Sequence, residues 1–364
     1  MPSIETMPAA VAIATTEPPD ELSELRSRVN AFLEARNLPS HDSPAMYAKS
    51  AFIISLWCLA YAVFAFGGLL HFGFALIGAV VLSFFTLCME MAVMHDASHN
   101  GVSRHRWINR LLDVTLIVIG ACPIIWYYKH VKAHHFNTNV PGHDHDIEAG
   151  SLFRFHREAK WHPWHRFQHL YALTLYAGLA FKWILFDDVY DGAINAYGVP
   201  KNQRRVMWTQ IIVSKICHFT LFLIVPWFVL KSIPLVLAIY AVHWMLLSVG
   251  LATTFQLAHV TGLQGFPSFD EKQKNNWIRH QLATTTDFAV SNRLLGWVVG
   301  GLNMQVEHHI FPRLPHVHYR IIQPIVAQFC AEKDIRYLEY PTIRAALADH
   351  FQHLRNLGRK PQVP

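Results

Sequence analysis

Trp126-Tyr-Tyr-Lys-His130-Val-Lys-Ala-His134-His135-Phe-Asn-Thr-Asn139 is the stretch whose reading decides the fold. Read as a helix, it sets His130 and His134 one turn apart on one face with His135 beside them. That is part of a metal site and not the whole of one. Two further clusters would complete it: His95-Asp-Ala-Ser-His99 before it and Gln305-Val-Glu-His308-His309 far along the chain. Imidazole suits iron, copper, nickel and zinc. Some eight imidazoles exceed the four to six positions of one ion, so the arithmetic points to two metals.

The rest of the sequence says where such a site would stand. Of 364 residues, 52% are hydrophobic and only 15% charged, and mean hydropathy is +0.20, whereas soluble domains are about a quarter charged. This is a membrane composition. The net charge of +6 and pI near 9.0 read as topology and not as nucleic-acid binding, because lysine and arginine gather beside apolar segments. Cys58, Cys88, Cys122, Cys217 and Cys330 have no paired spacing and mostly fall in apolar runs, which argues against disulfides and thiolate metal sites.

Taken in order, Met1 to Asp20 lacks the pattern of a signal peptide and reads as a disordered leader. Glu21 to Asn37 carries Leu22, Leu25, Val29, Phe32 and Leu33 at helical spacing, an amphipathic helix for the membrane surface or the cytosolic part. Ser50 to Gly67 and Phe72 to Met89 form a first hairpin through the bilayer, and Val206 to Leu230 and Pro234 to Ala258 a second, joined at Lys231-Ser-Ile-Pro. Lys215 lies inside the second hairpin, so that helix is expected to begin below the bilayer or let the lysine snorkel. Val114 to Trp126, about thirteen residues, is too short to cross and reads as re-entrant or interfacial, and Leu170 to Phe181 reads as an in-plane helix. Four crossings return every histidine cluster, and His259 at the end of the last, to one side. Arg104, Arg106, Arg110, Lys129, Lys132, Arg204, Arg205 and other cations share that side against Lys231 opposite, which makes it cytoplasmic, with both termini. The expectation is an all-α integral membrane protein. Residues 1–45 form a leader and surface helix, 46–320 a membrane domain with a cytoplasmic helical cap, and 321–364 a tail of that domain.

Metal-bound imidazoles need acceptors for their second ring nitrogens, and Asp96, Asp144, Asp146 and Glu307 are at hand. Glu90, the carboxylate within the second span, is a functional candidate by its depth. Trp126 and Asn139, at the two ends of the central stretch, join the candidates for outer contact or substrate. His243 reads as a hydrogen-bonded core residue or tunnel lining, and His156, His162, His165, His169, His280, His316 and His318 as surface or interfacial residues.

With these residues set out, His95-x-x-x-His99, His130-x-x-x-His134-His135 with Thr138-Asn139 and Asp144-x-Asp146, and Gln305-x-x-His308-His309-Ile-Phe-Pro312 resemble the membrane fatty-acid desaturases. The chain is most similar to the acyl-lipid and linoleoyl-CoA type, including front-end desaturases, over about residues 50 to 320. The resemblance implies a di-iron centre that uses molecular oxygen to remove two hydrogens from adjacent carbons of a fatty acyl chain. Its ligands would be His95, His99, His130, His134, His135, His259, His308 and His309. Gln305 stands where many relatives place a histidine. An unactivated methylene has no acidic proton, which is why an oxidising metal pair in a dry cavity is needed. The same site could serve an acetylenase or hydroxylase; a metal transporter would instead place ligands near mid-membrane. The His-Pro-Gly-Gly signature of a fused cytochrome b5 domain does not occur here, so electrons are expected from a separate cytochrome b5 or ferredoxin with its reductase. The acyl chain would come from membrane lipid, CoA or an acyl carrier protein.

Overall fold

The computed structural model describes residues 20–274 and 276–361. The leader expected over residues 1–20 lies, apart from Asp20, outside the described residues. The described residues are mainly helical, and among them strand pairing is confined to Asp287–Phe288 against Glu339–Tyr340. Among the described residues four helices are long and apolar enough to cross a membrane: Pro44–Leu69, Phe72–Ser98, Lys201–Leu230 and Ile233–His259.

These helices pack as two hairpins around a core of Phe64, Leu82, Phe222 and Trp244. A Cβ on Gly78 would lie 2.4 Å from the backbone nitrogen of Phe64, so glycine there permits the close approach of the first two helices, as small residues do where helices cross in lipid. Leu59, Ile77, Ile212 and Leu237 are exposed on the outside of the bundle. The first helix starts at Pro44, earlier than the apolar run suggested. Lys49 lies inside it, buried, with Nζ donating to the Trp297 carbonyl (2.7 Å) and 2.7 Å from His316 Nε2.

Both shorter apolar stretches are sharply bent. Arg106–Ile119 and Pro123–Asn137 meet at 111°, Pro163–Tyr176 and Leu179–Ile194 at 69°. The first bend turns at Gly120, whose φ of +104° suits glycine. Its carbonyl accepts from Lys215 Nζ (2.6 Å), and Ile119 O accepts from His218 Nδ1 (2.8 Å). Lys215 thus ties the third long helix to this bend. The N-terminal helix, Glu21–Ala35, places Leu25, Val29 and Leu33 in a cap core with Tyr319, Ile322, Val326 and Phe329. It thus packs on the cap, and Arg28–Glu332, Lys333–Glu24 and Arg279–Glu21 pairs fasten its outer face.

Candidate metal centre

Four pieces of backbone deliver the histidines to one place. The second long helix widens into a π turn over Met89–Met94 and then presents His95 and His99. The bent segment does the same over Tyr127–His134, with His135 opening the next turn. His259 is the last residue of the fourth long helix, and a six-residue helix, Gln305–Ile310, carries His308 and His309. π turns are rare and gather at functional sites. Here two of them aim the histidines, which simple α-helical spacing did not anticipate.

The ring nitrogens converge in two groups. Those of His95, His99, His130 and His308 lie within 4.8 Å of one another, as do those of His134, His259 and His309, while His135 reaches both His308 and His309. His95 Nε2 is 2.9 Å from His130 Nε2, and His308 Nε2 is 3.0 Å from His135 Nε2. The adjacent His308 and His309 rings stand at 87°, so one serves each group. All eight side chains are buried. Burial first, and then the neighbouring imidazoles, hold His308 and His309 well below the usual histidine range, which keeps them neutral, the form that binds metal. Among the described residues, His99 Nε2, His134 Nε2 and Gln305 Oε1 are buried without a hydrogen-bond partner. Orphaned acceptors of this kind are what a cation would satisfy. Gln305 Nε2 lies 2.9 Å from His259 Nε2 and 3.4 Å from His309 Nε2.

The outer contacts follow the expectation only in part. His134 Nδ1 donates to Asp144 (3.0 Å), and the same carboxylate accepts the backbone N–H groups of Asn139 (2.8 Å) and Asp146 (3.0 Å). Asn139 Nδ2 donates to the His259 carbonyl at 2.8 Å. Trp126 stacks on His130 with centroids 4.4 Å apart and donates to Ser98 Oγ. Asp146 stands farther off, 3.6 Å from His134 Nδ1 and 3.8 Å from His130 Nδ1.

Two carboxylates turn away from the cluster. Asp96 accepts from the ring (2.7 Å) and backbone (2.9 Å) of His316. Glu307 accepts from Tyr337, whose hydroxyl also meets Asp287. Burial lifts Asp287 to about 6 and Glu307 well above the carboxylate range. One faces outward along its helix and the other opposite its neighbour His308, so adjacency in sequence sends them to different partners.

Gln281 and Tyr319 are contacts that the sequence did not disclose. Gln281 Oε1 is 2.8 Å from His309 Nδ1, and its amide nitrogen donates to the His135 carbonyl. Tyr319 Oη is 3.2 Å from His308 Nδ1. Neither stands in a motif. His156, His165, His280, His316 and His318, expected near the surface, are all buried; His165 and His318 cap the Ser151 and Pro39 carbonyls. His243 is buried beside Phe222 and Trp244, its ring nitrogens without partners among the described residues.

On the membrane side of the cluster a narrow cavity is lined by Glu90, Met91, Met94, His95, Trp126, Trp183, Leu251 and Phe255. Apart from Glu90 and His95 its wall is apolar or aromatic.

Sequence comparison identifies the arrangement. The profile of the family described as fatty acid desaturase matches residues 71–341. The chain is 31% identical to the sn-1 linoleoyl-lipid 6-desaturase of Arthrospira platensis over 93% of both chains. It is 32% identical to the enzyme of the same name from Synechocystis sp., over 92% of this chain and 94% of that one. With the acyl-lipid (8-3)-desaturase of Physcomitrium patens it shares 33% identity over 96% of this chain and 74% of the relative. A buried set of imidazoles at the ends of apolar helices, with a greasy cavity beneath it, is thus found in a chain that belongs to the fatty acid desaturase family.

Proposed function

We propose that this desaturase acts on an acyl chain of the linoleoyl class carried by a membrane lipid, the kind of substrate that the names of the linoleoyl-lipid and acyl-lipid desaturases it resembles give for them. Two irons would be held by His95, His99, His130 and His308 on one side and His134, His259 and His309 on the other, with His135 between the groups and Gln305 beside the second. The convergence of the ring nitrogens in two groups carries this reading. The bound pair would supply an oxidant, made from molecular oxygen, strong enough to take hydrogen from a methylene.

The chain's own residues do the rest. Asp144 keeps a proton on His134 Nδ1 and so turns Nε2 inward; Gln281 does the same for His309. Trp126 and Phe255 close the cavity wall beside His130 and keep water from it. Two electrons per turnover would come from a separate carrier, a cytochrome b5 or ferredoxin with its reductase, docking on the basic face. Both termini and the metal centre are assigned to the cytoplasmic side. Residues 1–45, 46–320 and 321–364 are assigned as leader with surface helix, membrane domain and its tail.

Expression with a reductase and an electron carrier tests this reading through iron content and gas chromatography of the lipids. About two irons per chain and a new double bond in lipid-linked polyunsaturated chains are expected. Iron-free protein, or products hydroxylated or triple-bonded in place of desaturated, would overturn it.

A further inference from the structure

The fourth long helix ends at a candidate ligand without a stop signal of its own. His259 is its last residue, and Val260 follows with φ −127° and ψ 72°, in place of the left-handed glycine that commonly ends a helix. The last carbonyls of a helix have no partner within it, and here side chains and backbone from elsewhere take them up. The Ala258 carbonyl accepts from the Thr286 N–H (3.1 Å) and from Gln264 Nε2 (3.0 Å). The His259 carbonyl accepts from Asn139 Nδ2 (2.8 Å), and the Val260 carbonyl from His350 Nδ1 (2.6 Å).

His350 is itself held from both sides. A carbonyl only accepts, so Nδ1 carries the ring proton, and Nε2 accepts from the Tyr176 hydroxyl at 2.8 Å. The ring is buried. Tyr176 closes the helix Gln168–Tyr176 of the second bent segment, and the C-terminal helix Ile343–Leu357 packs against that helix and against the fourth long one. One residue before His350, Asp349 accepts from the Gly262 N–H and the Tyr340 hydroxyl. A Cβ on Gly262 would lie 2.8 Å from that carboxylate, so glycine lets it reach the backbone. Two consecutive side chains of the C-terminal helix thus hold backbone groups within three residues of His259.

His134 and His309 have Asp144 and Gln281 to orient their rings. His259 Nδ1 has no side-chain partner among the described residues, so its ring goes where the backbone carries it. We propose that His350 is a positioning residue for the second metal group: through the Val260 carbonyl it fixes the end of the fourth long helix, so that His259 meets His134 and His309. The first group, His95, His99, His130 and His308, takes no residue from that helix. A fault at His350 therefore falls on one metal and spares the other.

This proposal rests on the two-metal reading, and its test separates the two. His350→Leu should weaken the hold on one iron about 10-fold, so that release to a chelator gains one fast phase, the phase missing from His259→Ala, while the other keeps its rate. His350→Asn, whose amide NH2 can stand where Nδ1 does, should restore slow release. Tyr176→Phe, which removes a hydroxyl and keeps the ring, should speed the same phase to a lesser degree and decides the matter if His350→Leu does not fold. Leu357→Ala, a buried position two turns along the same helix, should lower the unfolding temperature with both phases unchanged. In metal-free protein, backbone hydrogen–deuterium exchange over residues 258–262 should quicken in His350→Leu and not in Leu357→Ala. Wild-type release from His350→Leu and Tyr176→Phe, equal weakening of both irons, no rescue by asparagine, or the same single loss in Leu357→Ala overturns the assignment. Wild-type protein that binds no iron would strike at the metal reading, while the exchange experiment would still decide for His350.

Discussion

At the scale of single residues, the centre depends on which nitrogen of each ring carries the proton. Asp144 is fully buried and accepts from His134 Nδ1 while holding two backbone N–H groups. Replacing it by asparagine leaves an amide whose NH2 can face the ring, which removes the charge and frees the tautomer. Partners of this kind are worth about 10–100-fold in metal affinity, so Asp144→Asn should lose metal by that factor in a chelator competition. Asp96 is the informative contrast. It is adjacent in sequence to His95 but serves His316, which in turn meets Lys49. Asp96→Asn should keep metal affinity within about threefold and instead lower the unfolding temperature, as breaking a buried charged contact costs about 3 kcal/mol. Metal loss in Asp96→Asn with none in Asp144→Asn would reverse the assignment of these two carboxylates.

At the scale of elements, what positions the histidines is how one piece of backbone seats against another. Gly300 has φ +58°, and a Cβ there would lie 2.2 Å from the Met91 carbonyl and 2.6 Å from Ala92 Cα. It therefore holds the loop leading to His308 and His309 against the π turn leading to His95. Gly300→Ala combines left-handed strain with a backbone clash, a cost of roughly 3 kcal/mol, and should reduce both thermal stability and metal content. Gly142, with φ +75° and open space around it, gives the comparison: Gly142→Ala should cost about 1 kcal/mol and leave metal content intact. These contacts mark where the sequence stops being readable. The three clusters and both hairpins are visible in it because hydropathy and histidine spacing are local signals. The π turns at Met89–Met94 and Tyr127–His134 are not, because one extra residue per turn is imposed by packing. Gln281, Tyr319 and the turned-away Asp96 and Glu307 depend on contacts between segments far apart, which no local pattern encodes.

At the scale of the whole molecule, helix length fixes the depth of the centre. The second and fourth long helices have 27 residues each, about 40 Å at 1.5 Å per residue, against a hydrocarbon core of about 30 Å. Measured from Phe72 and Ile233 at the far interface, roughly the last 10 Å of each helix emerges, carrying His95 and His259 just clear of the lipid and leaving Glu90 just inside it. At the far end Lys231 stands near the rings of Trp227 and Phe228, an interfacial anchor, whereas most of the cations lie at the histidine end. The charge imbalance is the ground for assigning that end to the cytoplasm. With Cys58 and Cys217 replaced by alanine, Lys231→Cys should react with a membrane-impermeant maleimide added to intact cells. Arg359→Cys, exposed in the cap, should react only after permeabilisation. The opposite labelling would put the centre on the outer face, away from any cytosolic electron carrier, and the proposed supply of electrons would fall with it.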